Sequence, residues 1–199
     1  METALASLRP YHVILVTGPQ RSGTTFAANV LAAELARRYV DEQDVRGDPH
    51  QCLAHLLQAE QATVVQCPGW SRFCHRMGSG RTAVVWMRRP LEEIIASQER
   101  IGWTERCEAA ELARYGVTRG PIAQVKFDYW RRRQKAVLGP HAFEIEYGAL
   151  RGHPMWVRRS GRRGFEAKQI APGEGNLQPR GLPAISSAGS RSGDPGGES

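Results

Sequence analysis

Two glycines five residues apart, Gly18 and Gly23, bracket Pro19, Gln20, Arg21 and Ser22, and two hydroxyl residues, Thr24 and Thr25, follow them. A loop of this outline between an apolar strand and a helix offers free backbone N–H groups and the positive end of the helix dipole to an anion. It departs from the nucleoside-triphosphate loop at one position: where that pattern needs Lys directly after the second glycine, this chain has Thr24. The only cation in the loop is Arg21. A guanidinium there can fork two hydrogen bonds to phosphate or to a transferring group, with Ser22, Gly23, Thr24 and Thr25 as the remaining donors.

A second departure concerns metal. Enzymes that hold Mg²⁺ beside such a loop place an acidic residue at the end of an apolar strand. Here Thr63-Val64-Val65 runs into Gln66-Cys67-Pro68, and Ala83-Val84-Val85-Trp86-Met87 runs into Arg88-Arg89. Cations stand where a metal site wants carboxylates, so the expected pocket holds anions directly. The four cysteines, Cys52, Cys67, Cys74 and Cys107, form no CxxC pair, and His50, Cys52, His55, Cys74 and His75 match no ligand spacing. No metal is expected.

Pro19-x-Arg21-Ser22-Gly23-Thr24-Thr25 behind an N-terminal strand resembles the 5′-phosphosulfate loop of the PAPS-dependent sulfotransferases, which move a sulfuryl group from PAPS to a hydroxyl or amine acceptor. That superfamily carries a second signature, an Arg at a later strand end and a Ser eight residues on, which together bind the 3′-phosphate. Arg89 and Ser97 reproduce that spacing, with Arg88 as a rival because Pro90 stands one position earlier than in the common form. The resemblance implies PAPS as co-substrate, Arg21 as a catalytic cation and a general base near the loop. Glu42 occupies a place comparable to the base of the tyrosylprotein branch, although a surface acidic cluster, Asp41-Glu42-Gln43-Asp44, accounts for the same letters. His50 and His55 are the alternatives. Gln66 stands where relatives often carry Lys, and Arg162-Arg163-Gly164 is similar to a basic loop closing on the 3′-phosphate. Trp103 is read either as a stacking platform or as a core residue. Two further readings stand beside the enzyme: a non-catalytic sulfotransferase-like nucleotide-binding protein, motivated by Gln66, and a P-loop kinase or NTPase with Thr25 on Mg²⁺. The acceptor is left open among carbohydrate, peptide, lipid and small phenol.

These residues need particular elements to position them. Tyr11 to Thr17 is a short apolar, β-branched run ending at glycine, which predicts a central parallel strand. From Thr24 the spacing of Phe26, Val30, Leu31 and Leu35 predicts a helix to about Arg38. Strands are expected at Tyr39-Val40, Thr63 to Val65, Thr82 to Met87 and Phe143 to Tyr147. Helices are expected over Gln51 to Gln58, from Pro90 with Glu92 and Glu93 near its positive end, over Ala109 to Tyr115, and over Ile122 to Val137. The alternation argues for an α/β three-layer sandwich with a central parallel sheet of four or five strands, P-loop NTPase-like in kind. It occupies residues 1–170, and residues 171–199, rich in Gly, Pro and Ser, read as a disordered tail.

The bulk composition fits this picture. The 199 residues are 41% hydrophobic and 24% charged, which suits one soluble domain. The longest apolar run near the N-terminus, Val13 to Val16, is far too short to cross a bilayer, and the segment before it lacks signal-peptide order. A cytoplasmic protein without a membrane span is expected. The net charge of +7, from 27 Lys and Arg against 20 Asp and Glu, suits an anionic ligand. Much of the excess sits in Arg131-Arg132-Arg133 and between Arg158 and Arg163, where a solvated face is the ordinary outcome, so nucleic acid is not an expected partner.

Overall fold

The computed structural model describes residues 2–102 and 105–156, and the side chains of 5–102 and 108–156. Trp103, the basic stretch from Arg158, the Arg162-Arg163-Gly164 loop and the tail from residue 171 lie outside them. Strands β1 (Val13–Thr17), β2 (Arg38–Val40), β3 (Thr63–Gln66), β4 (Thr82–Arg88) and β5 (Ala142–Glu146) form one sheet in the order β2-β3-β1-β4-β5, every pairing parallel. Helices α1 (Glu2–Leu8), α2 (Thr24–Glu34), α3 (Pro49–Gln58), α4 (Leu91–Arg100), α5 (Glu105–Arg114), α6 (Ile122–Tyr129) and α7 (Lys135–Leu138) complete the fold. This is an α/β three-layer sandwich of the P-loop NTPase-like kind.

Strand alternation builds the two helical layers. In β1, Val13 and Leu15 face one side with Val65, Val84 and Trp86, and meet Leu53 and Leu56 of α3 and Trp130. Ile14 and Val16 face the other side with Val64, Val85 and Met87, and meet Leu8 of α1 and Phe26, Val30 and Leu31 of α2. All five residues of β1 are buried, as a strand covered on both faces must be. The chain goes from β1 to one side of the sheet through β2 and β3, then crosses to the other side for β4 and β5. The order therefore reverses at β1, and open parallel sheets leave a crevice beyond the carboxyl ends of the strands at such a point.

Several boundaries differ from the sequence expectation for stated reasons. Helix α2 stops at Glu34, four residues before Arg38, because Ala36 takes a left-handed conformation (φ 51°) and Arg38 already pairs in β2. A helix running to Arg38 would leave no residues for the turn back to the sheet edge. Pro90 caps α4 from outside (ψ 134°) and is not its first helical residue, since Leu91 opens the helix. The expected helix from Ile122 to Val137 is continuous to Leu138 but passes through a π-helical segment, Trp130–Gln134. That segment sets Trp130 parallel to Trp86, with ring centroids 4.6 Å apart.

The outer edge of the sheet is held by charge. Trp86 and Arg88 of β4 lie opposite Glu144 and Glu146 of β5, and Arg88 pairs with both carboxylates, at 3.3 and 3.2 Å. Glu144 also accepts from Trp130 Nε1 at 2.7 Å and from Lys135 at 3.2 Å. Partial burial pushes its carboxyl pKa up. The hydrogen bonds from Trp130 and Lys135 and the charges of Lys135 and Arg88 outweigh that and hold it below the ordinary value. A carboxyl depressed in the folded state contributes stability that is present above its unfolded pKa and is lost as pH falls through the folded one. In urea titrations, Glu144→Gln should lower the midpoint at neutral pH, and the gap to the wild-type chain should narrow as pH falls below the ordinary carboxylate range and through the depressed folded value. A gap independent of pH would assign Glu144 a packing role only.

Candidate functional site

The Gly18 to Thr25 loop leaves β1 at the sheet's order reversal and closes on the N-terminus of α2. Thr17 Oγ1 donates to Cys67 O at 2.9 Å, which ties the ends of β1 and β3 together below the loop. Gly18 (φ 144°) lies against β4: a Cβ there would stand 3.1 Å from Met87 O and 3.1 Å from Ser22 Oγ. The loop therefore rides close on the neighbouring strand. Ser22 N–H donates to Pro19 O at 3.1 Å and closes the turn, so this N–H is engaged within the loop, where the sequence reading counted it among the anion donors. Arg21 sits at φ 72°, a conformation costly for any residue with a Cβ and one that tends to mark functional loops.

No side chain caps the first turn of α2, so its N–H groups face the crevice. Ser22 is buried, and its Oγ has no hydrogen-bond partner among the described residues. A buried hydroxyl in that state needs an explanation, and a ligand oxygen at the loop is one. Thr24 Oγ1 accepts from Gln66 Nε2 at 3.2 Å, which places Gln66 on the loop as a neutral donor where a Lys would have brought charge.

The second signature meets the first. Arg21 Nε donates to Ser97 Oγ at 3.1 Å, and Arg89 Nη1 donates to the Arg21 carbonyl at 3.0 Å. Arg89 also pairs with Glu93 at 2.9 Å and lies 4.4 Å over the Tyr147 ring. Arg88, one residue earlier on the strand, points the other way, to Glu144 and Glu146. The two arginines thus part: Arg88 goes to the sheet edge, and Arg89, favoured by its spacing to Ser97, is at the loop.

Of the three candidate bases, Glu42 and His50 lie toward the crevice. Glu42 follows β2, and its Oε1 accepts from Gly69 N–H at 3.0 Å, just beyond the end of β3. His50 is in the first turn of α3, whereas His55 is in the last, at the opposite edge of the sheet where the chain turns into β3. Among the described residues no group of three His, Cys, Asp or Glu side chains is placed to hold a metal. Cys74 instead bonds Gln134, which in turn donates to Ser71 O. No described helix is long and apolar enough to cross a membrane.

The structure adds residues that motif reading missed. Lys126 of α6 is fully buried and reaches Gln20 Oε1, in the middle of the loop, and Glu111 Oε1 at 2.8 Å. Desolvation pushes the Lys126 ammonium pKa down, against the hydrogen bond and charge of Glu111. Burial pushes Glu111 up, but its bonds to Lys126 and Gln20 and the charges of Lys126 and Arg114 bring it below the ordinary range. The signal in the sequence was a charged residue in an apolar helix stripe: Ile122, Lys126 and Trp130 recur every fourth position, and all three are buried.

The sequence matches no protein-family model and no curated protein. Among solved structures, the chain is similar to shikimate kinase from Acinetobacter baumannii in complex with shikimate, with 16% identity, 71% of this chain and 87% of that chain covered, and a TM-score of 0.44. It is also similar to the YorR protein from Bacillus subtilis in complex with phosphorylated GDP, with 12% identity, coverage of 68% and 86%, and a TM-score of 0.43.

Gly23 carries the tightest constraint in the loop. At φ 96° it takes the left-handed conformation, and a Cβ would fall 2.3 Å from Tyr147 Cδ2. Gly23→Ala should cost roughly 1–2 kcal/mol for the backbone conformation alone and more for the ring. Adding Tyr147→Ala should recover the second part, so chemical denaturation of the two single variants and the double should be non-additive. Strict additivity would show that the ring does not oppose the side chain.

Proposed function

We propose that the chain is a sulfotransferase that holds the 5′-phosphosulfate of PAPS in the Gly18 to Thr25 loop and passes its sulfuryl group to a hydroxyl or amine acceptor. The observation that carries this reading is the hydrogen-bonded cluster of Arg21, Ser97 and Arg89. Two signatures far apart in the chain meet at one loop, each bonded to Arg21. The orphaned Ser22 hydroxyl and the uncapped start of α2 suit a bound phosphate at the same place.

In this scheme the N–H groups of Gly23 to Thr25 receive the 5′-phosphate, and Arg21 stabilises the charge that grows on it. Arg89 and Ser97 receive the 3′-phosphate. Arg89 already has an internal carboxylate, Glu93, which keeps the guanidinium in place before the ligand arrives. The acceptor oxygen or nitrogen forms its bond to sulfur as the bond from sulfur to the 5′-phosphate oxygen breaks. The leaving PAP keeps that electron pair, and the acceptor proton passes to Glu42. Glu42 is exposed beyond β3, open to an acceptor, with its carboxylate oriented by Gly69 N–H. The strand ends beside the loop carry Gln66 and Arg88-Arg89 and no acid, so the scheme uses cations where a phosphoryl-transfer enzyme would use Mg²⁺.

Calorimetry in the presence of a chelator should show PAP and PAPS binding without Mg²⁺. Arg89→Ala should weaken PAP by about 10–100-fold, the worth of charge-assisted hydrogen bonds to phosphate, while Arg88→Ala should stay within about threefold. Tight binding of Mg·ATP with no heat from PAP or PAPS would overturn the proposal in favour of a kinase or NTPase. PAP binding without turnover across carbohydrate, peptide, lipid and phenol acceptors would favour the non-catalytic nucleotide-binding reading, which the neutral Gln66 motivates.

A further inference from the structure

The transfer scheme leaves one buried cation without a task. Lys126 is wholly inaccessible to solvent, and an ammonium in such a place is costly unless it is paired. Its partners are informative. Gln20 belongs to the loop, three residues before the glycine that caps α2, and Glu111 comes from α5. Glu111 is held from three sides, by Lys126 at 2.8 Å, by Arg114 at 2.9 Å and by the Gln20 side chain. A carboxylate thus lies against the middle of the loop, ringed by an ammonium, a guanidinium and a carboxamide.

That donor set is the kind a sulfuryl or phosphoryl group recruits, and a carboxylate shares with such a group a compact, planar or pyramidal array of oxygens bearing negative charge. The loop has no Lys after Gly23, and β3 ends in Gln66, so neither usual position supplies an ammonium. Among the described residues, Lys126 brings an ammonium to the loop. It does so through Gln20, three residues before the glycine at the α2 N-terminus. Glu111 retains a second cation, Arg114, and so does not lose all compensation if Lys126 turns to another anion.

We propose that Lys126 binds the outer, transferable group of the loop's ligand, and that Glu111 is a resident carboxylate which that group displaces. The identity of the ligand rests on the sulfotransferase reading above. Lys126 keeps an anionic partner before and after the exchange, so it is not left buried and unpaired at either stage. Glu42 also acts on Lys126 by its charge, in the same sense as Glu111, which helps to keep the ammonium protonated when Glu111 withdraws.

PAP and PAPS differ by the outer sulfuryl group, which makes the pair a direct probe. Calorimetry on the full chain should show Lys126→Gln losing about 10–100-fold in PAPS affinity while PAP stays within about threefold. Glu111→Gln removes the competitor and should raise PAPS affinity about threefold or more with PAP unchanged. Equal loss of both ligands in folded Lys126→Gln, or loss of neither, would overturn the inference. So would weaker PAPS binding in Glu111→Gln, and this second variant decides the matter if the first does not fold. A wild-type chain that binds neither nucleotide overturns the functional reading and the inference together. Wild-type PAPS binding that Lys126→Gln leaves intact overturns the role of Lys126 alone.

Discussion

The position of β1 at the reversal of strand order governs everything placed around it. A strand buried on both faces and flanked by β3 and β4 cannot offer side chains to solvent along its length, so its end is where it can act. The carboxyl ends of β3 and β4 stand on either side of that end, and each contributes one polar residue to the loop: Gln66 to Thr24, and Arg89 to the Arg21 carbonyl. Gly18 lets the chain pass close to the β4 backbone, and Gly23 lets it turn into α2 beneath the Tyr147 ring. The two glycines are thus required by the neighbours of the loop as much as by any ligand.

Charge is distributed over this frame in a consistent way. Arg89 has Glu93, Lys126 has Glu111, and Arg88 has Glu144 and Glu146. The pairs are not equivalent. Those of Arg88 lie on the sheet edge, partly solvated, and serve to hold β5. Those of Arg89 and Lys126 lie beside the loop in reduced contact with water, where a cation without a partner would be expensive and a cation with a movable partner is ready for an anion. The internal acids therefore let the chain fold with several cations around one short loop, a collection that would otherwise repel itself.

How much of this was legible in the sequence depended on how local the cause was. The β1 run, the glycine loop and the Arg89 to Ser97 spacing are contiguous patterns whose meaning is set by neighbours in the chain, and the sheet and loop follow them closely. The end of α2 was misplaced because it is set by where β2 must begin to pair with β3, a tertiary demand met by a left-handed Ala36. The spacing to Ser97 favours Arg89 while the place of Pro90 keeps Arg88 as a rival, and the structure sends Arg88 to Glu144 and Glu146 and Arg89 to the loop. Lys126 escaped notice because its chemistry comes from three separate segments: the loop, α5 and α6. In the sequence it is one Lys among many charged residues, and only the buried Ile122 and Trp130 four positions away mark it as unusual.

The same sheet order gives the crevice a direction. Proceeding across the strand ends, Glu42 lies beyond β2 and β3, the loop follows β1, and Arg89 follows β4. Carboxylate and guanidinium are thus on opposite flanks of the Gly18 to Thr25 loop. In the proposed scheme a ligand held by Arg89 and Ser97 has its anchored end toward β4 and its other end toward the flank that holds Glu42. In-line transfer requires the attacking and leaving atoms on opposite faces of the transferred group. In the proposed scheme a base on the Glu42 flank leaves the Arg89 flank to the anchored end of the ligand. Glu42 and Arg89 therefore follow different strands, β2 and β4, with the ends of β3 and β1 between them.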